Sequence, residues 1–180
     1  LEELAVKITQ SGINVEKVIT NHINNLVIGE VLECVAHPDS DHLHVCKVNV
    51  GNITEQIVCG APNVREGLKV IVALPGAVLP GDFEIKKSKI RGVESNGMLC
   101  ALYELGLEEK NDETYAKGIE ELGADAPVGE DPLKYLGLDD TLYELDIHKH
   151  RNNDCYYHIG FAYEIGAILN RPVTLPDLSF

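Results

Sequence analysis

Residues 26–59 read L-V-I-G-E-V-L-E-C-V-A-H-P-D-S-D-H-L-H-V-C-K-V-N-V-G-N-I-T-E-Q-I-V-C, and their alternation of apolar and polar positions is typical of β-strands. A glycine inside the first strand, Gly29, predicts a bulge or bend. The H-P-D-S-D cluster that follows is a turn signal. The pair Gly51-Asn52 then predicts a tight hairpin turn between strands over 42–50 and 53–59. The stretch is therefore predicted to form an antiparallel β-sheet.

Two further apolar runs, over 70–73 and 98–100, continue this pattern. About five short strands with turn signals between them are typical of a small closed sheet. We therefore predict a five-stranded barrel of the OB type, an architecture that commonly binds oligonucleotides on one open face.

Positive charge is concentrated over residues 85–100, which read I-K-K-S-K-I-R-G-V-E-S-N-G-M-L-C. The chain has 29 Asp and Glu against 15 Lys and Arg, yet four of those cations lie within six residues of this stretch. The cluster predicts a site for an anion, and the glycine turn behind it offers shape and hydrogen bonds, with a methionine that we expect to be exposed. A solvated strand face is the alternative interpretation. The candidate contact residues are Lys86, Lys87, Lys89, Arg91, Ser95, Asn96 and Met98.

The net charge of −14 opposes binding of any polyanion at long range. Between Glu104 and Glu144, however, thirteen Asp and Glu stand against three lysines, so we expect much of the negative charge to occupy a separate face. The charge balance therefore predicts weak nucleic-acid binding rather than none. An acidic chain is equally typical of simple solubility.

The two ends of the chain carry helical and strand patterns of their own. Leu1 and Ile8 belong to an amphipathic helix that we expect to end at Gly12, and a short strand follows over 13–18. Near the other end, Tyr143 begins a second alternating run. A final helix is predicted to be capped by Asn152-Asn153 and stopped by Arg171-Pro172.

The predicted fold class is therefore α+β and mainly β, with the OB-type barrel inserted into a small discontinuous α+β domain. The predicted bounds are 1–22 for the first half of the outer domain, 23–139 for the barrel domain and 140–180 for the second half. The segment over 102–140 is expected to be irregular. Because the chain begins inside a helical pattern, we expect it to be a piece of a longer polypeptide.

Other kinds of site find little support in the sequence. His37, His42, His44 and Cys46 lie close together, but zinc usually needs a second ligand pair, so exposed histidines are the preferred interpretation. The five cysteines lie in apolar stretches, which predicts inert packed thiols in a reducing compartment and hence the cytoplasm. No phosphate loop, catalytic constellation, signal peptide or membrane-spanning run is evident, so no catalytic residue, metal site or membrane partner is predicted.

Ordered motifs over about eighty residues resemble the tRNA-binding OB module of synthetase-associated proteins. They are V-I-G-E-V, H-P-D-S-D-H-L-H-V-C, Q-I-V-C-G-A-P-N-V, L-P-G, I-R-G-V-E-S-N-G-M-L-C and E-L-G-L. The flanks resemble the bacterial phenylalanyl-tRNA synthetase β chain through L-A-V-K-I-T-Q-S-G-I-N-V-E-K-V, E-L-D-I, R-x-x-D-C and H-I-G-F-A-Y-E-I-G-A-I-L-N-R-P. The resemblance covers essentially the whole chain.

This resemblance implies a non-catalytic N-terminal part of a phenylalanine–tRNA ligase, with scaffold contacts and weak, auxiliary tRNA binding. It implies an α subunit in an (αβ)2 heterotetramer, with ATP and Mg²⁺ used by the parent enzyme and no cofactor in this segment. Any editing site would lie beyond Phe180. A standalone RNA-binding module and a protein-interaction domain remain as alternatives.

One departure from the family pattern lies at the end of the predicted strand near residue 146. Where the family has D-[IL]-T-P-N-R-x-D, this chain has D-I-H-K-H-R-N-N-D over 146–154. Thr, Pro and Asn of the family pattern are replaced, and one residue is added before Asp154. Arg151 is therefore matched to the family arginine without any activity being assigned to it.

Overall fold

A computed structural model describes residues 2–177 of the chain, and within it two compact units are distinguished. One unit is built from the residues up to Asn21 together with those from Asp140 onward, and the other is His22–Asp139. Leu1 of the predicted first helix and the last three residues of the predicted segment 140–180 lie outside the described residues.

Strands dominate the secondary structure, and the helices are short. In chain order the elements are α1 (Glu2–Gln10), β1 (Asn14–Thr20), β2 (Leu26–Ala36), β3 (His44–Asn49), β4 (Thr54–Cys59), β5 (Lys69–Ala73), β6 (Val78–Leu79), β7 (Phe83–Glu84), β8 (Ser88–Ile90), β9 (Val93–Ser95), β10 (Met98–Cys100), α2 (Asp112–Lys117), β11 (Glu121–Leu122), α3 (Pro132–Tyr135), β12 (Thr141–Asp146) and α4 (His158–Leu169). Single 3₁₀ turns cover Leu102–Leu105 and Lys149–Arg151.

The central unit is a curled antiparallel sheet with the strand order β10-β5-β2-β3-β4, and β11 adds to β5. A pair of hydrogen bonds joins the outer strand β4 to residues 95–96, which immediately precede the other outer strand, β10. The Asn96 amide donates to the Gln56 carbonyl at 2.8 Å, and the Val58 amide donates to the Ser95 hydroxyl at 3.0 Å. These bonds curl the sheet toward closure, and the predicted OB-type, mainly β fold class is confirmed.

The interior of this unit is built from side chains on alternate strand positions. The five strands contribute fully buried residues because successive side chains of a strand point to opposite faces. One core cluster contains Val31, Val48, Ile57, Val70 and Val72, and a second contains Leu26, Ile71, Ala73 and Cys100.

The predicted bulge at Gly29 is wrong. Pairing between β2 and β5 is regular through Gly29. The register shift lies in the pairing of β2 with β3, between Val31 and Glu33, where Leu32 is the extra, half-exposed residue. At Gly29 a Cβ atom would lie 2.5 Å from Val72 Cγ2 and 2.7 Å from Val48 Cγ1. Glycine is therefore needed there for close packing between neighbouring strands.

The acidic segment over 102–140 is more ordered than predicted. Asn111 begins α2 because its side-chain oxygen accepts hydrogen bonds from the amides of Glu113 and Thr114. After this helix β11 pairs with β5, and Asp131 caps α3 with Pro132 in its first turn. This segment therefore contributes a short edge strand and two helical turns to the unit.

The other unit consists of a two-stranded antiparallel sheet, β1 with β12, and the helices α1 and α4. Its core surrounds Ile8, Ile13 and Cys155. The predicted end of the first helix is confirmed, since Gly12 follows it with φ +97°. The predicted cap at Asn152-Asn153 is wrong: α4 begins at His158, after a short 3₁₀ turn.

No helix in the part of the chain that the structure describes is long and apolar enough to cross a membrane.

Candidate nucleic-acid interface

The predicted basic segment forms a hairpin in which β8 pairs with β9. We call residues 86–95 the basic hairpin. Ile90 pairs with Val93, and the two residues between them, Arg91 and Gly92, have φ angles of +47° and +85°. Positive φ at both central positions is the requirement of a type I′ turn, whose twist matches that of the flanking strands. This turn was not predicted, although Arg91-Gly92 between two short strand segments is a signal for it.

The lysines of the basic hairpin are exposed and paired only loosely. The Lys86 amine lies 2.8 Å from a Glu84 carboxylate oxygen, and the Lys89 amine lies 3.6 Å from one of Glu94. No ion pair to Lys87 is formed within residues 2–177. Exposed pairs of this kind contribute only about 0–1 kcal/mol, so a phosphate can replace the carboxylate at little cost.

Arg91 and His37 connect the tip of the basic hairpin to the loop that precedes β3. The Arg91 guanidinium donates to the Asp39 carbonyl at 2.9 Å. The His37 ring accepts from the Asp39 amide at Nδ1 (3.0 Å), which leaves Nε2–H to donate to the Ile90 carbonyl at 3.1 Å. His37 is only 4% exposed, so the expectation of an exposed histidine is wrong at this position. Its ring holds the basic hairpin in place.

The glycine turn behind the basic hairpin is part of the barrel rather than a free loop. Ser95 is fully buried, and its hydroxyl accepts from the Val58 amide and donates to the Gly97 carbonyl at 3.1 Å. Asn96 donates from its side chain to Glu55 at 2.9 Å. We call Ser95, Asn96 and Gly97 the barrel seam. The Ser95 hydroxyl is thus used inside the fold and does not face a ligand.

Gly97 and Met98 are likewise packed into the barrel. Gly97 has φ +140°, and a Cβ there would lie 2.7 Å from the Ala73 carbonyl oxygen, so only glycine fits. Met98 is half-buried against the core rather than exposed as expected. Of the seven predicted contact residues, the four cations are exposed on the basic hairpin, and three of them have separate partners in Glu84, Glu94 and the Asp39 carbonyl. A contact between tRNA and any of the seven stays a prediction.

The remaining histidines of the candidate metal cluster do not converge. His42 is exposed, His44 is half-buried with an unpartnered Nδ1, and Cys46 is buried in the core. Among residues 2–177 no group of three or more His, Cys, Asp or Glu side chains is placed to hold a metal ion.

The cysteines are all free thiols, and four of the five are buried. Burial raises the pKa of Cys59 to about 11 and raises the pKa values of Cys46 and Cys100 still further. A thiol with a raised pKa is protonated at neutral pH and is a poor nucleophile. These side chains therefore pack in the core.

Arg151, in the other unit, has a structural set of partners. Its guanidinium donates to Glu164 at 2.7 Å, to Asp154 at 2.8 Å and to the Cys155 sulfur at 2.9 Å. The carboxylates raise the pKa of Arg151 above its ordinary value. These bonds tie the turn before α4 to the helix itself.

Comparison with known proteins gives one family. The family model described as "Putative tRNA binding domain" matches residues 26–131, more than half of the chain.

Curated relatives match almost the whole chain. The "Phenylalanine--tRNA ligase beta subunit" of Geobacillus kaustophilus (strain HTA426) is 51% identical over 180 residues, covering 98% of this chain and 22% of that protein. The protein of the same name from Pseudomonas savastanoi pv. phaseolicola (strain 1448A / Race 6) is 49% identical, covering 99% of this chain and 22% of that protein. The chain thus spans about a fifth of the length of these relatives.

Among solved structures, the MetRS related protein from Pyrococcus horikoshii is similar with a TM-score of 0.42 and 23% identity. The match covers 58% of this chain and 84% of that one.

Proposed function

This chain belongs to the tRNA-binding domain family, and from that premise we propose that it is the non-catalytic N-terminal part of a phenylalanine–tRNA ligase β subunit. The observation that carries the proposal is identity near 50% over almost the whole chain to proteins of that name. In the proposed role the basic hairpin is a weak, auxiliary tRNA surface, and the rest of the chain is scaffold.

The proposal includes a domain organisation, a subunit assembly and a cellular compartment. Residues 23–139 form the tRNA-binding module, and 1–22 with 140–180 form the domain into which it is inserted. The two compact units support this division, with boundaries close to those positions. The parent enzyme would pair with an α subunit in an (αβ)2 heterotetramer in the cytoplasm, where thiols such as the five here stay reduced.

The parent ligase would use ATP and Mg²⁺ to charge tRNA with phenylalanine. The residues described here do not fit either group, because no cluster of carboxylates, histidines or cysteines in residues 2–177 is arranged for a metal and the sequence has no phosphate loop. We therefore assign this chemistry, and any editing, to other parts of the enzyme.

The basic hairpin suits the tRNA role through its charge and its loose pairing. Lysines act as flexible point charges for phosphates, and exposed amines lose little when they change partner. The net charge of −14 keeps the affinity low. We expect a dissociation constant no tighter than about 1 μM at physiological salt, the range of non-specific nucleic-acid binding.

The test is filter binding of tRNA to this chain and to a variant with Lys86, Lys87 and Lys89 replaced by alanine. We expect the triple variant to lose measurable binding. The matched control replaces Lys7, Lys17 and Lys134, which changes the net charge by the same amount elsewhere, and it should bind almost as the unmodified chain does. Equal loss in both variants, or none in the first, would contradict the proposed surface.

The standalone-module alternative makes a different prediction about the gene. An open reading frame that continues for hundreds of codons past Phe180 is expected on the ligase proposal. A stop codon close to that position would favour a module that acts in trans.

A further inference from the structure

A cavity of about 840 Å³ opens beside the basic hairpin within the unit His22–Asp139. Its floor is apolar and is formed by core residues such as Cys59, Leu99 and Ile119. Its volume lies in the range of small-molecule and cofactor sites, about 300–1,000 Å³. A cavity of this size admits a single nucleotide and excludes a duplex.

Three aromatic rings stand on the walls of this cavity: Phe83 from β7, Tyr103 from the 3₁₀ turn and Tyr115 from α2. Phe83 is 57% exposed and Tyr115 is 65% exposed, so neither is a core residue. Exposed rings that line a concave site are the platforms on which proteins stack nucleobases, because every base offers a π-face.

Two cations stand near these rings. The Lys110 amine lies 5.5 Å from the centroid of the Tyr103 ring and 5.8 Å from that of Tyr115, within range for cation–π attraction. Lys86 of the basic hairpin lines the cavity itself. Because lysine side chains are flexible, both amines could reach a phosphate attached to a base stacked on these rings.

One half-buried carboxylate, that of Glu104, also lines the cavity. Its Oε2 accepts from the Ala101 amide at 2.8 Å, and its Oε1 has no hydrogen-bond partner among residues 2–177. Burial raises the pKa of Glu104. An inward carboxylate repels phosphate but accepts hydrogen bonds from amino groups, so it favours a base edge inside and a phosphate outside.

We propose that this cavity takes one unpaired nucleobase of an RNA, stacked on Tyr103 and Tyr115. The phosphate lies by Lys86 and Lys110 at the rim, and an amino-bearing edge of the base faces Glu104. The inference rests on the proposed tRNA-binding function and adds a base-stacking component to it. Met98 joins the two parts, since it follows the barrel seam and lines the cavity.

The test measures binding of intact tRNA to the Tyr115→Ala and Phe83→Ala variants of the full chain. Base–aromatic stacking contributes enough that we expect about tenfold weaker binding for Tyr115→Ala. The Tyr115→Phe variant keeps the ring and should bind normally, and Tyr156→Ala removes an exposed tyrosine in the other unit as a control. Circular dichroism melts of all four variants establish that they are folded.

A blunt RNA duplex without unpaired bases is the second probe. It presents phosphates to the lysines but offers no base to the cavity, so Tyr115→Ala should bind it as the unmodified chain does. The slope of log affinity against log salt should likewise stay the same in Tyr115→Ala, because stacking releases no counterions.

Base preference tests the role of Glu104. Single-stranded oligo(A) and oligo(C) carry exocyclic amino groups and should compete with tRNA more strongly than oligo(U). Glu104→Gln should reduce that difference, whereas equal competition by all three oligonucleotides in the unmodified chain would contradict the assigned role of the carboxylate.

The outcomes separate this inference from the proposed function. If the unmodified chain binds no tRNA, both fail. If it binds tRNA and the lysine triple variant does not, while Tyr115→Ala and Phe83→Ala both bind normally, only the nucleobase site is overturned. Loss of α-subunit binding in those aromatic variants, with tRNA affinity unchanged, would assign the cavity to a protein partner and would also overturn the inference.

Discussion

The two halves of the stretch 85–100 are adjacent in sequence and opposite in role. The first half, the basic hairpin as far as residue 94, is largely exposed, and its lysines make ion pairs that stabilise the fold only slightly. The second half, the barrel seam and β10, is largely buried, and the seam bonds to the outer strand β4 and leads directly into the outer strand β10. Replacing the exposed lysines should weaken tRNA binding and leave the free energy of unfolding nearly unchanged, whereas replacing seam residues should mainly lower the free energy of unfolding.

The largest effect is expected for Gly97→Ala in the seam. Its φ of +140° and the approach of a Cβ to 2.7 Å from the Ala73 carbonyl oxygen require the backbone to move. We expect the free energy of unfolding to fall by about 3 kcal/mol or more in urea titration. Gly92→Ala in the basic hairpin is the matched control: its φ is also positive, but apart from its chain neighbours no atom of residues 2–177 would lie within 4 Å of the added Cβ, and the cost should be only about 1–2 kcal/mol.

Ser95→Ala should have the next largest effect on stability. The Val58 amide would lose its acceptor in a fully buried position, which costs about 1–3 kcal/mol. Ser88→Ala, on the exposed strand of the same hairpin, should leave the unfolding free energy within about 0.5 kcal/mol. If the two serines cost the same in thermal or urea melts, the division of the stretch into exposed and buried halves is contradicted.

His37→Ala should have a smaller effect on stability and should also weaken tRNA binding. It leaves the Asp39 amide and the Ile90 carbonyl without the ring, so we expect a loss of about 1–2 kcal/mol together with weaker tRNA binding. The exposed His42 is the control, and His42→Ala should change neither quantity. A His37→Ala variant that melts earlier but binds tRNA normally would show that the ring does not position the basic hairpin.

Most of the strands could be predicted from the sequence because alternation along a strand is a local signal. The Gly51-Asn52 turn and the positions of β3, β4, β5 and β10 follow from it. The cationic cluster was visible as well, because charge density needs no three-dimensional information. The seven predicted contact residues therefore contain the four exposed cations of the basic hairpin.

The errors have a common physical origin, since they concern contacts between residues distant in sequence. Gly29 looks the same in sequence whether it allows a bulge or a close approach of Val72 from a neighbouring strand. Ser95 looks like a free turn residue until the Val58 amide, 37 positions away, is placed beside it. His37 looks exposed until the Ile90 carbonyl, 53 positions away, is placed beside its ring.

The start of α4 shows a different kind of error. Asn152-Asn153 is a good capping signal, but Arg151 binds Asp154 and Glu164 and holds the intervening residues in a turn. Tertiary contacts thereby delay the helix until His158.

The salt dependence of tRNA affinity tests the central claim most directly. If loosely paired lysines of the basic hairpin exchange their partners for phosphates, log affinity should fall linearly with log salt with a slope between about −2 and −4, as expected for three or four contacts. Lys87→Ala removes the hairpin lysine that forms no ion pair with the described residues 2–177, and it should reduce the magnitude of that slope by about one, while Lys134→Ala should not change it. A slope near zero in the unmodified chain, or one that Lys87→Ala leaves unchanged, would contradict the account.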